Sequence, residues 1–457
     1  MNLITQAGSE VSEKSGNSPT ESLSLGMGMD ATSELSLDTR AALLNRYQQV
    51  RAESVFLTDP LTAEDMQLQS MADASPTKWH LAHTSWFFET FILQRYLQGY
   101  RVFDPDYHHL FNSYYNSLGQ PFSRPQRGLL SRPDLDQVFA YRGHIDRALE
   151  QLLTEEECPG EVASLLTLGL NHEQQHQELL LTDILHAFSI NPLLPGYLDE
   201  QTDAEPVPEG ESAIRWLQVP EDIYTLGSEG DDFHFDNEAP AHQQHLNAFC
   251  VASRLVTNRE YLDFILDGGY REPRLWLSDG WAWVQQNHAV APLYWQERGG
   301  EWYQFTLAGL LPLDLDAPVS HVSFYEADAF ASWAGFRLPT EFEWEVAAWL
   351  HRQPNPLSSA NLLEKRRYRA VAETASSPRF LGNLWEWTGS AYLSYPGFRA
   401  SADAVGEYNG KFMCNQMVLR GGSCVTPASH IRISYRNFFY PHQAWQFTGI
   451  RLAGDSD

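Results

Sequence analysis

Residues 161–188 read EVASLLTLGLNHEQQHQELLLTDILHAF, a long apolar-periodic run that opens after Pro159 and closes at Asn191-Pro192. Leu165, Leu168, Leu179 and Leu180 form a stripe, so the run predicts a helix with one face turned to a core. Inside it His172 and His176 stand four residues apart. That spacing puts both imidazoles on one helix face about one turn apart, where they can hold one ion. A buried polar ring needs a hydrogen-bond partner or a metal. The same five residues fit the HExxH pattern of zinc proteases, with Glu173 as the base. A polar helix face with incidental histidines is the plainer alternative.

Working outward, three further segments have helical texture. LDTRAALLNRYQQVRAE (37–53) predicts a helix capped by Asp38. SPTKWHLAHTSWFFETFILQRYL (75–97) predicts one with Ser75 as cap and Pro76 in the first turn. LDQVFAYRGHIDRALEQLL (135–153) predicts another, with a short helix in TAEDMQLQS (62–70) between the first two. Four long amphipathic segments point to an up-and-down four-helix bundle over residues 37–195. The second segment carries His80 and His83 among Trp79, Leu81, Trp86 and Phe87. One of them, added to the pair at 172 and 176, would make a three-histidine site with open coordination positions. Such a site suits Fe(II) as well as Zn(II), and the residues alone leave both open.

The texture changes beyond Asn191. PLLPGYLDEQTDAEPVPEGESA (192–213) is acidic and proline-rich, and residues 196–213 read as a linker. Residues 214–457 show short strands, many turns and scattered Trp and Gly, with brief helices expected in TNREYLDFILDGG, SFYEADAFASWAG and PTEFEWEVAAWL. At the other end, residues 1–36 are rich in Ser, Gly, Thr and Glu and read as a disordered tail. The net charge of −28, from 31 basic and 59 acidic residues, argues against a nucleic-acid or anionic-membrane partner. No apolar run approaches the ~18 residues that span a bilayer, and the N-terminus lacks a secretory pattern. Four dispersed cysteines form no CxxC, so a reduced, cytoplasmic chain with a small-molecule partner is the expectation.

KWHLAH (78–83), FNSYYNSLG (111–119) and NHEQQHQE (171–178) together resemble a DinB-like bundle. RLPTEFEWEVAA (337–348), GNLWEWTGSAY (382–392), VLRGGS (418–423), YRNFFYP (435–441) and TGIRLA (448–453) resemble the formylglycine-generating-enzyme, C-type-lectin-like fold. In this order the pair resembles the sulfoxide synthases of ergothioneine biosynthesis, the EgtB family, over about residues 40–456. The fold implied is multidomain α and α+β. The resemblance implies Fe(II) held by His83, His172 and His176, with O2, hercynine and cysteine as substrates. His80 then remains packing or support. It also implies Tyr114 and Tyr115 as catalytic phenols, because a phenol can donate a proton or be oxidised. Gln175 and Asn437 match positions that touch the histidine-derived substrate, and Arg124 matches one proposed for the thiol substrate's carboxylate, with Arg127 or Arg132 as alternatives. Phe438 and Phe439 would wall the site. Where the γ-glutamylcysteine-using branch has an Asp and an Arg, this chain has Phe439 and Gln443, which points to cysteine as sulfur donor.

The C-terminal module reads as scaffold: Cys414 and Cys424 lack the copper-binding spacing of formylglycine-generating enzymes. Trp385, Glu386, Trp387, Glu341, Glu343 and Glu345 read as structural. The rival readings are an HExxH zinc hydrolase, a non-catalytic adaptor, and histidine-acting or selenium-inserting synthases of the same architecture. Nothing in the sequence speaks against a homo-oligomer.

Overall fold

Four helices pack together, the second of them buried on every side. They are α1 (Leu37–Phe56), α2 (Thr77–Phe88), α3 (Leu135–Thr154) and α4 (Gly160–Ile190). The structure is a computed structural model that describes residues 34–154, 158–198, 213–230, 232–373, 378–402 and 404–456. Residues 1–33 of the expected tail and 199–212 of the expected linker lie outside the described residues. In the bundle α1 and α2 each pack against both α3 and α4. Gly169 lets α2 and α4 close up, since a Cβ there would sit 2.5 Å from Cε1 of Phe88. At its end α2 runs into a π-helical turn, Glu89–Leu93. The buried carboxylate of Glu89 accepts from the hydroxyls of Tyr100 and Tyr141, each at 2.6 Å.

Two caps differ from expectation. Ser36, not Asp38, caps α1, its Oγ accepting the Thr39 N–H at 3.2 Å; Asp38 sits in the first turn, where the helix dipole favours an acid. Residues 34–36 therefore belong to the fold rather than the tail: Leu35 is buried and its N–H bonds the Cys158 carbonyl. Ser75 does not cap α2, whose N-cap is Pro76, because Asp183 takes the Ser75 N–H and Arg127 donates to its Oγ.

The second half contains small sheets held by helices. The expected brief helices are α5 (Asn258–Leu266), α7 (Phe324–Trp333) and α8 (Glu341–Leu350), each opened by a reciprocal capping box, Thr257/Glu260, Ser323/Glu326 and Thr340/Glu343. A helix not anticipated, α6 (Ser278–Asn287), lies between the first two. The largest sheet orders β3 (Asn437–Phe439), β2 (Met417–Arg420), β1 (Trp385–Ala391) and β4 (Thr448–Gly449), with β4 parallel to β1 and the other pairs antiparallel. Its core holds buried ion pairs: Arg436 and Arg420 on Glu341, Arg420 on Glu345, and Arg451 on Glu386. These carboxylates are structural, as their motifs suggested.

Helix α4 belongs to both halves. Leu165, Leu166 and Leu170 sit in the cluster that includes the bundle core, while Leu181, Ile184, Leu185 and Phe188 pack with Leu255, Phe305, Leu384 and Phe447. Among the described residues no helix is long and apolar enough to cross a membrane, and Cys250, Cys414 and Cys424 are free thiols.

Candidate metal centre

The polar residues of NHEQQHQE divide over three faces of α4. Asn171, Gln174, Gln175 and Glu178 face the second half. Glu178 accepts from Trp385 Nε1, Ser423 Oγ and Thr426 Oγ1, each at 2.7 Å, and Gln174 donates to Ser429 Oγ at 2.6 Å. Glu173 and Gln177 face α1. Burial alone would raise the Glu173 carboxyl, but Arg51, Arg142 and the Ser54 hydroxyl hold it down to about 2. A carboxylate clamped by two guanidiniums 2.9 and 3.0 Å away is no general base, and the HExxH hydrolase reading loses its catalyst.

His172 and His176 face α2, where His83 completes the set. Nε2 of His172 lies 3.1 Å from Nε2 of both His83 and His176, and one ligand atom from each ring lies within 4.8 Å of the others. Burial keeps all three neutral, holding His83 and His176 well below the usual imidazole value and His172 down to about 3. Nδ1 of His83 lies 2.6 Å from the Phe111 carbonyl, which only accepts, so its hydrogen is there and Nε2 keeps its lone pair. The indoles of Trp79 and Trp86 stack on the His83 ring at 4.6 and 5.7 Å. Three neutral nitrogens facing one point fit a metal: an ion about 2.1 Å from two nitrogens at right angles leaves them about 3.0 Å apart.

Around this centre the two tyrosines stack on each other at 4.6 Å. Tyr115 also packs on Trp86 at 5.6 Å, and Tyr114 lies 6.4 Å from the ring of Tyr408. Burial raises both phenols above their usual value, so each keeps its proton near neutrality. Tyr408 was missed by sequence reasoning; its ring lies 5.7 Å from His172, and its hydroxyl donates to Gln175 Oε1. From there the polarity runs on: Gln175 Nε2 donates to the Tyr435 oxygen at 2.6 Å, and the Tyr435 hydroxyl faces His430 Nε2 at 3.1 Å. Nδ1 of His430 faces Asn171 Oδ1 at 2.9 Å. The Gln175 amide is thus already engaged by two tyrosines.

Arg124 is exposed. Arg127, three residues on, is buried 3.4 Å from the Trp79 ring centroid, held by Ser75 Oγ and Ser113 Oγ at 3.0 and 3.1 Å, with no carboxylate at ion-pair distance among the described residues. Arg132 donates to the carbonyl of Ser131. Asn437 is half-buried, its Oδ1 accepting the Phe438 N–H. Phe438 stacks on Tyr392 at 4.1 Å and approaches Phe412, which packs on Tyr114 at 5.2 Å; Phe439 lies 6.5 Å from Trp445.

A helical bundle with a converged histidine triad, closed by an aromatic wall from a second domain, defines a two-domain enzyme with a candidate mononuclear metal centre. The DinB superfamily profile matches residues 46–180, and the sulfatase-modifying factor enzyme 1-like domain matches 202–373 and 378–456. The hercynine oxygenase of Mycolicibacterium thermoresistibile is 32% identical over 446 residues, covering 92% of this chain and 96% of the relative. That of Mycolicibacterium smegmatis is 32% identical, covering 83% and 91%. Ergothioneine biosynthesis protein 1 of Schizosaccharomyces pombe is 29% identical over 67% of this chain and 41% of its own length. The chain belongs to the hercynine oxygenase family, and it is an oxygenase, hence an oxidoreductase.

Proposed function

We propose that this chain is an Fe(II)- and O2-dependent sulfoxide synthase that joins cysteine to the imidazole of hercynine. The observation that carries the reading is the convergence of three neutral imidazoles on one point, with a stacked tyrosine pair packed behind Trp86 and Tyr408. Overall, an imidazole C–H and a thiol S–H are lost, a C–S bond forms, one oxygen atom ends on sulfur and the other leaves as water. Fe(II) held by His83, His172 and His176 would supply open coordination positions for thiolate, imidazole and O2, and a redox couple through which the two substrates' four electrons reach O2.

The protein's own groups bind, orient and protonate. Arg127, a buried guanidinium whose contacts are two hydroxyls and an indole face, is the anchor we assign to the cysteine carboxylate, with Arg124 at the surface beside it. Tyr114 and Tyr115, kept protonated by burial, hold a proton ready for the reduced oxygen. Tyr408, Gln175, Asn437, Phe438 and Phe439 would shape the pocket for the histidine-derived substrate. Gln443 caps its own turn through the Tyr440 N–H, and Phe439 carries no charge, so a second carboxylate and amine find little to grip. This supports cysteine over γ-glutamylcysteine. The free thiols of Cys250, Cys414 and Cys424 support a cytoplasmic setting.

The test is Fe(II)-loaded protein given O2, hercynine and either thiol, with products read by mass spectrometry. The hercynyl-cysteine sulfoxide should dominate, and His172→Ala should remove both bound iron and product. A protein that holds zinc tightly and makes no sulfoxide overturns the reading.

A further inference from the structure

His80 lies three residues before His83 on α2 and is buried, yet its ring turns away from the centre. Its Nδ1 is 2.8 Å from Nδ1 of His176, and its Nε2 is 3.2 Å from Oδ2 of Asp183. Asp183 stands seven residues after His176 on α4, and the same oxygen accepts the Ser75 N–H at 2.8 Å. A carboxylate oxygen accepts only. The hydrogen of a neutral His80 is therefore on Nε2, and its Nδ1 is left as an acceptor. The ring opposite then has to donate, so His176 carries its hydrogen on Nδ1 and its lone pair on Nε2, the atom that faces His172.

We propose that Asp183 and His80 are positioning residues that fix the tautomer and ring orientation of His176 for metal binding; this rests on the metal-centre reading above. Each outer ligand is then aimed by the chain, His83 by the Phe111 carbonyl and His176 by a carboxylate–histidine relay. His172 differs, because its Nδ1 is buried without a partner among the described residues. Its Nε2 faces the lone pairs of His83 and His176 at 3.1 Å, so in the metal-free protein its hydrogen is on Nε2.

Nitrogen-15 chemical shifts of the apoprotein imidazoles, with Fe(II) affinity from chelator competition, test this. In the wild type His176 should read as the Nδ1–H tautomer. His80→Phe, which keeps ring volume but cannot accept, should give a mixture of tautomers and about 10- to 100-fold weaker Fe(II) binding. His80→Gln, whose amide can accept from His176 and donate to Asp183, should recover most of the affinity. Asp183→Asn, whose Oδ1 can still accept from the Ser75 N–H and from His80 Nε2, should keep most of the affinity, whereas Asp183→Leu, which offers no acceptor, should weaken binding. A wild-type His176 with its hydrogen on Nε2, or His80→Phe with unchanged affinity and shifts, overturns the proposal. Failure of the wild type to bind any divalent metal would sink the metal-centre reading instead, and the nitrogen-15 result would still decide the tautomer.

Discussion

Glu173 shows how one side chain separates two chemistries that share a five-residue pattern. Its carboxylate is 1% exposed and takes its partners from Ser54, Arg51 and Arg142, not from the histidines. Glu173→Gln should lower stability by about 3–5 kcal/mol in urea unfolding, because buried Arg142 loses its carboxylate partner and Arg51 keeps only Asp146. Iron binding by the folded fraction should persist. An unchanged midpoint with selectively lost catalysis would refute the structural role. The tyrosines make the opposite case: Tyr114→Phe with Tyr115→Phe removes two hydroxyls and little packing. Iron content should stay at one per chain while sulfoxide formation falls at least tenfold, with thiol dioxygenation as the diverted product, read by mass spectrometry. Normal turnover in the double variant would end that assignment. The histidine pair was legible because i, i+4 spacing is local. The choice of His83 over His80 was not legible from spacing, since it depends on Phe111 and Asp183, residues that only the fold brings near.

At the level of elements, α4 is the informative one. Eight consecutive residues serve three neighbours, and the assignment repeats at three- and four-residue intervals as a helix demands. The capped helices α5, α7 and α8 were readable for the same reason, each announced by a Ser or Thr three residues before a Glu. Helix α6 escaped notice because SDGWAWVQQN buries only Gly280 and Val284 and shows no clear apolar period. Tyr408 escaped because it lies on a loop 233 residues from Gln175, a distance no local pattern spans. Closure between α2 and α4 rests on Gly169. Gly169→Ala should cost about 1–3 kcal/mol of stability, since the new methyl meets the rings of Phe88 and Phe87. It should also weaken metal binding, because the Phe87 ring lies 4.8 Å from His172. A variant with unchanged unfolding midpoint and metal affinity would show that the approach tolerates a side chain.

For the whole molecule, buried neutral imidazoles tie stability to pH. His172 and His321 are each held down to about 3 by burial, against an ordinary value of 6.5. Below pH 6.5 the unfolded chain takes up protons that the folded chain refuses, so stability falls from there toward pH 3. Between pH 7.5 and 5 each of the two should cost the chelator-treated protein roughly 2 kcal/mol, and His321→Gln should remove its share. A urea midpoint that does not move across that interval would contradict the burial of these rings. The two-domain division was plain from the change in texture past Asn191, but the sharing of α4 was not, since apolar periodicity says that a face is covered and not by what. That sharing bears on how such an enzyme could be dismantled. A bundle expressed by itself would keep all three nitrogens yet turn Asn171, Gln174, Gln175 and Glu178 toward bulk water, and the lone C-terminal half would leave Trp385, Ser423 and Thr426 reaching for an acceptor on another polypeptide. Gene fission at this junction should therefore yield two fragments that seek each other, with reconstitution rather than independent folding as the signature.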